Sequence, residues 1–378
     1  MNSERKLHIV SFDNPYPPNY GGVIDVFYKI KALHEIGVKV ILHAFEYGRK
    51  INPELNACCE NVFYYKRSKW VNPFSKLPYI VSSRMNNHLL TRLSADHYPI
   101  LFEGLHTCGF LNHALLQNRV KVVRMHNIEH DYYQNLEQVE SSWFRKIFYR
   151  IESRKLRHYE QQLHHASLIA AISVNDMKYL QLKFPHVIHI TAFHPNTRVS
   201  SLTGNGTYAF YHGKLSVGEN DEAARFLTDK VFRHVNHPLF IAGNNPSEAL
   251  LKLIKEVPQV KLFSDLSTDE IADMTRKAQV NVVPTFQDTG IKLKLINVLY
   301  QGRFVLANTP MVLNTGCEEL CTIANTPEEF QLQLNRVFQS SFTEPDREKR
   351  IIRLKELFDT EKMANQLADA IFRLTPEV

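Results

Sequence analysis

No apolar run in this 378-residue chain approaches the ~18 residues that a membrane-spanning helix requires, which excludes a helical integral membrane protein. The opening MNSERKLHIVSF heads straight into a strand without the apolar segment of a secretory signal, so a cytoplasmic protein is expected. Cysteine is scarce. The five are an odd number, and neither the adjacent Cys58 and Cys59 nor the pair Cys317 and Cys321 has metal-site spacing or a histidine partner. That argues against a disulfide framework and a zinc site and for reduced thiols. The G-x-G-x-x-G fingerprint is missing from the first strand-to-helix turn, which speaks against a nicotinamide or flavin enzyme. Nucleic-acid recognition motifs, sequence repeats and low-complexity tracts are missing too, and no nucleic-acid partner is expected.

What is present is an ordinary globular composition, 44% hydrophobic and 22% charged, with length for two domains of roughly 100 to 200 residues each. Charge is unevenly divided. Residues 1–200 carry 25 Lys and Arg against 16 Asp and Glu, while residues 201–378 carry 20 against 23. The basic half also holds 15 of the 18 histidines, and its cations cluster at Lys66, Arg67 and Lys69 and along Arg145 to Arg157. Such a surface suits anionic lipid headgroups or a phosphorylated substrate. The stretch WFRKIFYRIESRKLRHYEQQLHH reads as a long helix with a solvated basic face.

Strand, loop and helix patterns alternate along the chain. Residues 7–12 form a short apolar strand, Val26, Phe27, Ile30 and Leu33 mark a helix over 23–36, Gly37 ends it, and 38–45 is strand again. Further strands are expected at 100–103, 120–125, 168–172 and 187–192. At 194–206 the text turns to HPNTRVSSLTGNG, a linker composition, and the first domain is placed at 1–200. The rhythm restarts with strands at 208–212, 239–242, 260–263, 280–283 and 304–307, which makes 201–357 a second doubly wound domain. Two helical patterns fill 345–373, and the helix from about 358 to 378 is expected to pack back on the first domain. Two such α/β domains facing each other offer a cleft at the carboxyl ends of their strands.

Residues 284–310, PTFQDTGIKLKLINVLYQGRFVLANTP, are the most informative segment. A strand ends at Pro284, Thr289 and Gly290 form a loop, and a helix bearing Lys292 and Lys294 starts near Ile291. A helix N-terminus with free N–H groups and adjacent lysines suits an anion, with a diphosphate as its natural occupant. The same segment reads equally as an ordinary crossover with solvated lysines. Between the first strand and helix, Pro15-Tyr16-Pro17-Pro18-Asn19-Tyr20-Gly21-Gly22 offers paired glycines for close backbone approach, or a simple structural turn.

The full-length pattern resembles the retaining GT-B glycosyltransferases typified by bacterial mannosyl- and glucosyltransferases of cell-surface polysaccharides (family 4-like). The resemblance rests on five ordered segments: Gly21-Gly22, Arg124-Met125-His126-Asn127-Ile128-Glu129, Ala170-Ala171-Ile172-Ser173, Tyr211-His212-Gly213-Lys214-Leu215, and 284–310. It implies a GT-B fold of two facing Rossmann-like domains and a nucleoside diphosphate sugar as donor. The acceptor is a glycan or a lipid-linked molecule, and neither metal nor other cofactor is required. By resemblance, Gly21 and Gly22 lie near the donor phosphates and His126 lines the reacting sugar, with Arg124 and Glu129 as lesser candidates that equally organise the loop. Lys214 is the cation on the diphosphate, and Gly213, Thr289, Gly290, Ile291, Lys292, Leu293 and Asn297 complete the donor site. No Asp-x-Asp pair stands where a metal would be held.

Two positions depart from the family. Its second lysine falls on Glu219, followed by Asn220, and its two glutamates fall on Thr289 and Asn297. A neutral amide in place of a carboxylate still reaches ribose hydroxyls at a cost of roughly 1–2 kcal/mol, and Lys292 and Lys294 supply compensating phosphate contacts. The expected activity is transfer of a sugar with retention in capsule or lipopolysaccharide biosynthesis, with peripheral contact to the anionic inner face of the cytoplasmic membrane. Two alternatives stand beside it: a catalytically inactive relative serving as a scaffold, motivated by the missing glutamates, and a nucleotide-sugar 2-epimerase.

Overall fold

The structure is a computed structural model that describes residues 4–46, 48–49, 51–68, 72, 75–140, 142–286 and 292–375. The chain separates into two compact units, one running to residue 195 and rejoined by residues 358 onward, the other between them. The first contains β1 (Lys6–Ser11), α1 (Gly21–Glu35), β2 (Lys39–Glu46), β3 (Asn61–Lys66), α2 (Tyr79–Ser82), α3 (Asn87–Leu93), β4 (Ile100–Glu103) and β5 (Lys121–Met125). It continues with α4 (Glu129–Val139), α5 (Trp143–Tyr159), β6 (Leu168–Ala171), α6 (Val174–Gln181) and β7 (Val187–His189). The strands are all parallel in the order β3-β2-β1-β4-β5-β6-β7.

Both faces of this sheet are covered, which is why its strands read as near-continuous apolar runs. Leu7 and Ile9 point to one face and pack with Val26, Ile30 and Leu33 of α1, while Val10 points to the other with Phe102, Val123 and Leu156. Gly37, at φ +83°, closes α1 in the left-handed conformation that glycine adopts without strain.

The second unit contains β8 (Ala209–His212), α7 (Gly218–Phe226), β9 (Leu239–Ala242), α8 (Glu248–Glu256), β10 (Val260–Phe263), α9 (Thr268–Lys277) and β11 (Val280–Val282). It continues with α10 (Leu293–Gln301), β12 (Phe304–Ala307), α11 (Thr309–Val312), β13 (Thr322–Ile323), α12 (Pro327–Phe338) and α13 (Glu344–Phe358). Its strands are also all parallel, in the order β10-β9-β8-β11-β12-β13. The last helix, α14 (Thr360–Phe372), belongs to the first unit and packs on α1 through Met363, Leu367 and Ile371.

Several details differ from the sequence reading, among them helix α12, which was not expected, and β7, which ends at His189 and not at 192. β3 and β13 were not expected: β3 is an edge strand with only Tyr65 buried, and β13 has two residues, so neither carries a full apolar pattern. Helix α10 begins at Leu293, with Lys292 as its N-cap, rather than near Ile291. Thr289, Gly290 and Ile291 lie outside the described residues.

Candidate functional site

In an open parallel sheet the crevice for a ligand lies beyond the strand carboxyl ends where the strand order reverses. That point is between β1 and β4 in the first unit and between β8 and β11 in the second.

At the first reversal point α1 delivers two charged residues into an apolar stripe. Asp25 and Lys29, one helical turn apart, are both fully buried, and Lys29 Nζ lies 2.9 Å from Asp25 Oδ2. The same ammonium is 2.7 Å from Oε1 of Glu103 at the end of β4. Arg124 on β5 binds the far side of Asp25, Nη2 to Oδ1 at 3.0 Å, and donates to the carbonyls of Ile190 and Thr191. Asp25 Oδ1 also accepts the Phe193 N–H at 2.9 Å. Two cations and two carboxylates balance. The opposing cations hold both carboxylates ionised, against burial that would protonate them, and lower their pKa values.

His126, which follows β5, donates or accepts through Nε2 with Glu103 Oε2 at 2.8 Å. With Glu103 ionised that nitrogen carries a proton, and Nδ1 is buried with no hydrogen-bond partner. One ligand atom from each of Asp25, Glu103 and His126 lies within a 4.8 Å group. A metal ion there would have to displace the Lys29 ammonium already shared between the two carboxylates, so these residues do not fit one. The imidazole stands edge-on to Phe12, 5.4 Å between centroids, and Phe12 in turn touches His106 at 5.3 Å. Gly22 is required by this stack: a Cβ there would sit 2.7 Å from Phe12 Cζ.

Beside this group Glu129, the first residue of α4, is buried, and its Oε1 lies 3.7 Å from Nδ1 of His106. Neither atom has a hydrogen-bond partner. Burial pushes the Glu129 carboxyl up to about 8, against a smaller opposing effect of Arg84, and burial holds His106 well below the usual imidazole range. At neutral pH the pair is therefore a protonated carboxyl beside a neutral imidazole, with no net charge to attract an anion.

The second reversal point has a different make-up. Lys294, from the first turn of α10, places Nζ 2.8 Å from Asn220 Oδ1 and 3.2 Å from the Tyr211 hydroxyl, above the Tyr211 ring. Asn220 Nδ2 donates to the Lys214 carbonyl at 3.1 Å, so one amide joins the turn after β8 to the cation on α10. An ammonium has three N–H groups, and two of these meet neutral oxygens here. Burial lowers Lys294 to about 8, partly offset by Glu219, so it is charged at pH 7. Across the reversal point Thr285 Oγ1 donates to Glu219 Oε1 at 2.6 Å, and Asn308 holds the Thr285 backbone by accepting from its N–H and donating to its carbonyl. A Cβ at Gly213 would press on both Asn220 and Lys294, 3.0 Å from the first and 3.2 Å from Nζ of the second.

Of the residues named from the sequence, His126 stands at the first reversal point with Gly22 beneath its aromatic neighbour, and Gly21 opens α1 with no acidic residue or side-chain cap beside it. Gly213 stands at the second. Lys214 follows it with an exposed side chain, so the cation drawn into this site is Lys294. Leu293 packs into the core and offers only its backbone, and Lys292 is partly buried. Asn297 accepts from Asn196 Nδ2 at 2.7 Å, which uses one of the two lone pairs of its amide oxygen. Arg124 pairs with Asp25 and not with Glu129.

Asp25, Lys29, Glu103 and His106 were not singled out from the sequence. The signal for the first two was there: opposite charges four residues apart on the same helix face as Val26, Ile30 and Leu33. His106 carried none, because its loop after β4 has no recognisable pattern.

These two sheets with their flanking helices form the GT-B fold. No family model matches the chain. A protein of the Klebsiella pneumoniae cps region, described as an uncharacterized 44.6 kDa protein, is 25% identical over 343 residues, covering 85% of this chain and 87% of that protein. The crystal structure of TarM superposes with a TM-score of 0.69 at 10% identity, over 98% of this chain and 99% of its own. The apo form of the lipopolysaccharide outer core galactosyltransferase WaaB gives 0.64 at 12% identity, over 97% and 99%. LpCGTa in complex with UDP gives 0.58 at 11% identity, over 98% and 99%. At these identities the likeness shows the fold.

Proposed function

We propose that this chain is a glycosyltransferase that moves a sugar from a nucleoside diphosphate sugar to a glycan or lipid-linked acceptor, with retention, in surface-polysaccharide biosynthesis. The observation that carries the reading is the Lys294 ammonium at the β8/β11 reversal point, held by Asn220 and Tyr211 and charged at neutral pH. A preorganised cation there stabilises the diphosphate as the glycosidic bond breaks and negative charge grows on the leaving oxygen. The start of α10 adds backbone N–H groups and the positive end of its dipole. The cps-region relative and the UDP-bound neighbour support the substrate class and the biosynthetic setting.

Retention is part of the resemblance. Attack from the face the leaving group vacates lets a departing phosphate oxygen take the acceptor hydroxyl proton, so no residue is assigned as a covalent nucleophile. His126, fixed through Glu103, is the residue that the resemblance places beside the reacting sugar. Lys294 also accounts for the family lysine that falls on Glu219: the positive charge comes from α10 instead of α7.

The test is calorimetric binding of UDP, GDP, dTDP and ADP to the wild type and to Lys294→Ala, followed by assay of sugar transfer with the matching donor. Selective binding of one nucleotide that weakens at least about tenfold in the variant is the expected outcome. Tight binding with neither transfer nor hydrolysis across a broad donor and acceptor panel supports the inactive scaffold, and release of a free epimerised sugar supports the epimerase. Absence of nucleotide binding overturns the assignment.

A further inference from the structure

Exposed large apolar side chains are scattered singly over most of the described surface, as is usual for soluble proteins. Helix α5 is the exception. Trp143, Phe144, Ile147, Phe148 and Ile151 are 60, 67, 44, 41 and 46% exposed. Their spacing places Trp143, Ile147 and Ile151 in one row along the helix and Phe144 with Phe148 in the next. The opposite side, with Glu152, Ser153, Leu156 and Tyr159, is buried, and α5 packs there against α4. The apolar rows are therefore the outward face of a helix whose packing requirement is already met.

The same helix carries six Lys and Arg residues against one acidic residue, Glu152, which is turned inward and paired with Lys155 at 3.0 Å. Arg145 and Arg150 reach Glu140 and Glu137. Lys146, Arg154 and Arg157 meet no acidic side chain among the described residues. Helical geometry puts Lys146, Arg150 and Arg157 along one flank of the apolar rows, with Arg154 continuing the outward face past Ile151. Tyr79, with the Arg67 guanidinium 5.1 Å from its ring centroid, touches Phe148 and extends the patch.

We infer that the outward face of α5 docks on an anionic lipid bilayer, with Trp143, Phe144, Ile147, Phe148 and Ile151 entering the acyl boundary and the flanking cations meeting headgroup phosphates. Aromatic and branched apolar side chains bordered by long cationic ones match the interfacial region, where the rings sit at headgroup depth and the Lys and Arg stems reach outward. A second copy of the chain is a poorer occupant, because a symmetric contact through this face brings like-charged flanks together. The inference stands on α5 alone and is independent of the proposed activity.

The experiment uses the full chain with Trp70→Phe, which leaves Trp143 as the single tryptophan. Vesicles of phosphatidylglycerol and phosphatidylethanolamine are compared with vesicles of phosphatidylcholine in flotation, together with Trp143 emission and its quenching by brominated lipid. Binding to the anionic vesicles, a blue shift and quenching are expected. Phe144→Ser with Phe148→Ser lowers partitioning about tenfold or more, and Arg154→Glu with Arg157→Glu lowers it and weakens its salt dependence. These sites are exposed, so an unchanged thermal transition verifies folding, and unchanged nucleotide binding separates this result from failure of the donor site. Vesicle binding that survives both double variants, Trp143 that stays unquenched, or a dimer in sedimentation that the Phe144/Phe148 variant dissociates without any vesicle binding would overturn the inference.

Discussion

The two reversal points occupy equivalent places in their sheets yet solve opposite electrostatic problems. In the first unit two buried cations and two buried carboxylates neutralise one another, and the buried imidazole of His126 is held at the edge of that lattice by Glu103. In the second a single ammonium is held by neutral oxygens, with one carboxylate further off. A closed lattice fixes geometry and has no appetite for further charge. A cation held by neutral groups retains attraction for an anion. Under the proposed function the contrast corresponds to positioning at the first site and anion binding at the second.

The sharpest way to break this contrast is to open the closed lattice. Lys29→Met leaves Asp25 and Glu103 without their shared cation, and unfolding stability is expected to fall by about 3–5 kcal/mol in denaturant titration. Nucleotide affinity measured on the folded fraction should be unaffected. If the variant is as stable as the wild type, the lattice is not the positioning device described.

Next in size is the pH dependence of Glu129. Its folded pKa, about 8, lies above the ordinary carboxyl value of 4.5, so the folded state binds the extra proton between those limits. Stability is then expected to decline as pH rises from about 4.5 to about 8 and to level off above. Glu129→Gln should remove that slope and gain up to about 4 kcal/mol at pH 9, read from unfolding curves at several pH values. A variant with the wild-type pH profile would mean the carboxyl is ionised throughout.

At the open site, Lys294→Ala is expected to weaken nucleoside diphosphate binding about 30- to 100-fold, the loss of a charge-assisted contact of about 2–3 kcal/mol. Wild-type affinity should itself fall as pH passes upward through about 8, where free Lys294 loses its charge. Gly213→Ala, which presses on Asn220 and Lys294, should cost about tenfold by the same calorimetry. Lys214→Ala should cost less than about threefold because its side chain is exposed. Reversal of the order between Lys294 and Lys214 would return the diphosphate cation to the position first expected from the sequence.

Fold and site were legible to different degrees for a physical reason. Strands buried on both faces, such as β4 and β9, write themselves as compact apolar runs, and Gly37 marks the end of α1 by its left-handed backbone. Edge strand β3 is only half-buried along most of its length and β13 is two residues long, so their patterns are weak. At the site, His126 and Gly213 are adjacent to strand ends and readable from order along the chain. The lattice joins residues from α1, β4 and β5, separated by up to 99 positions between Asp25 and Arg124, and only the fold brings them together. Lys294 was visible as a lysine near a helix start. What could not be read was that Asn220 and Tyr211 hold it at the β8 turn while Lys214 points to solvent.

The glycines after β8 and β9 carry a consequence for how such a chain could diversify. A Cβ at Gly243 would collide with the Gly213 carbonyl oxygen, so the two turns meet main chain to main chain. The path of the 213–217 turn is therefore set by main chain and by the buried Leu215, with no contribution from the exposed side chains of Lys214 and Ser216. Lys214 and Ser216 can be exchanged in a directed library without moving the platform beneath them, and natural drift at those positions can explore new substrates on an inherited foundation.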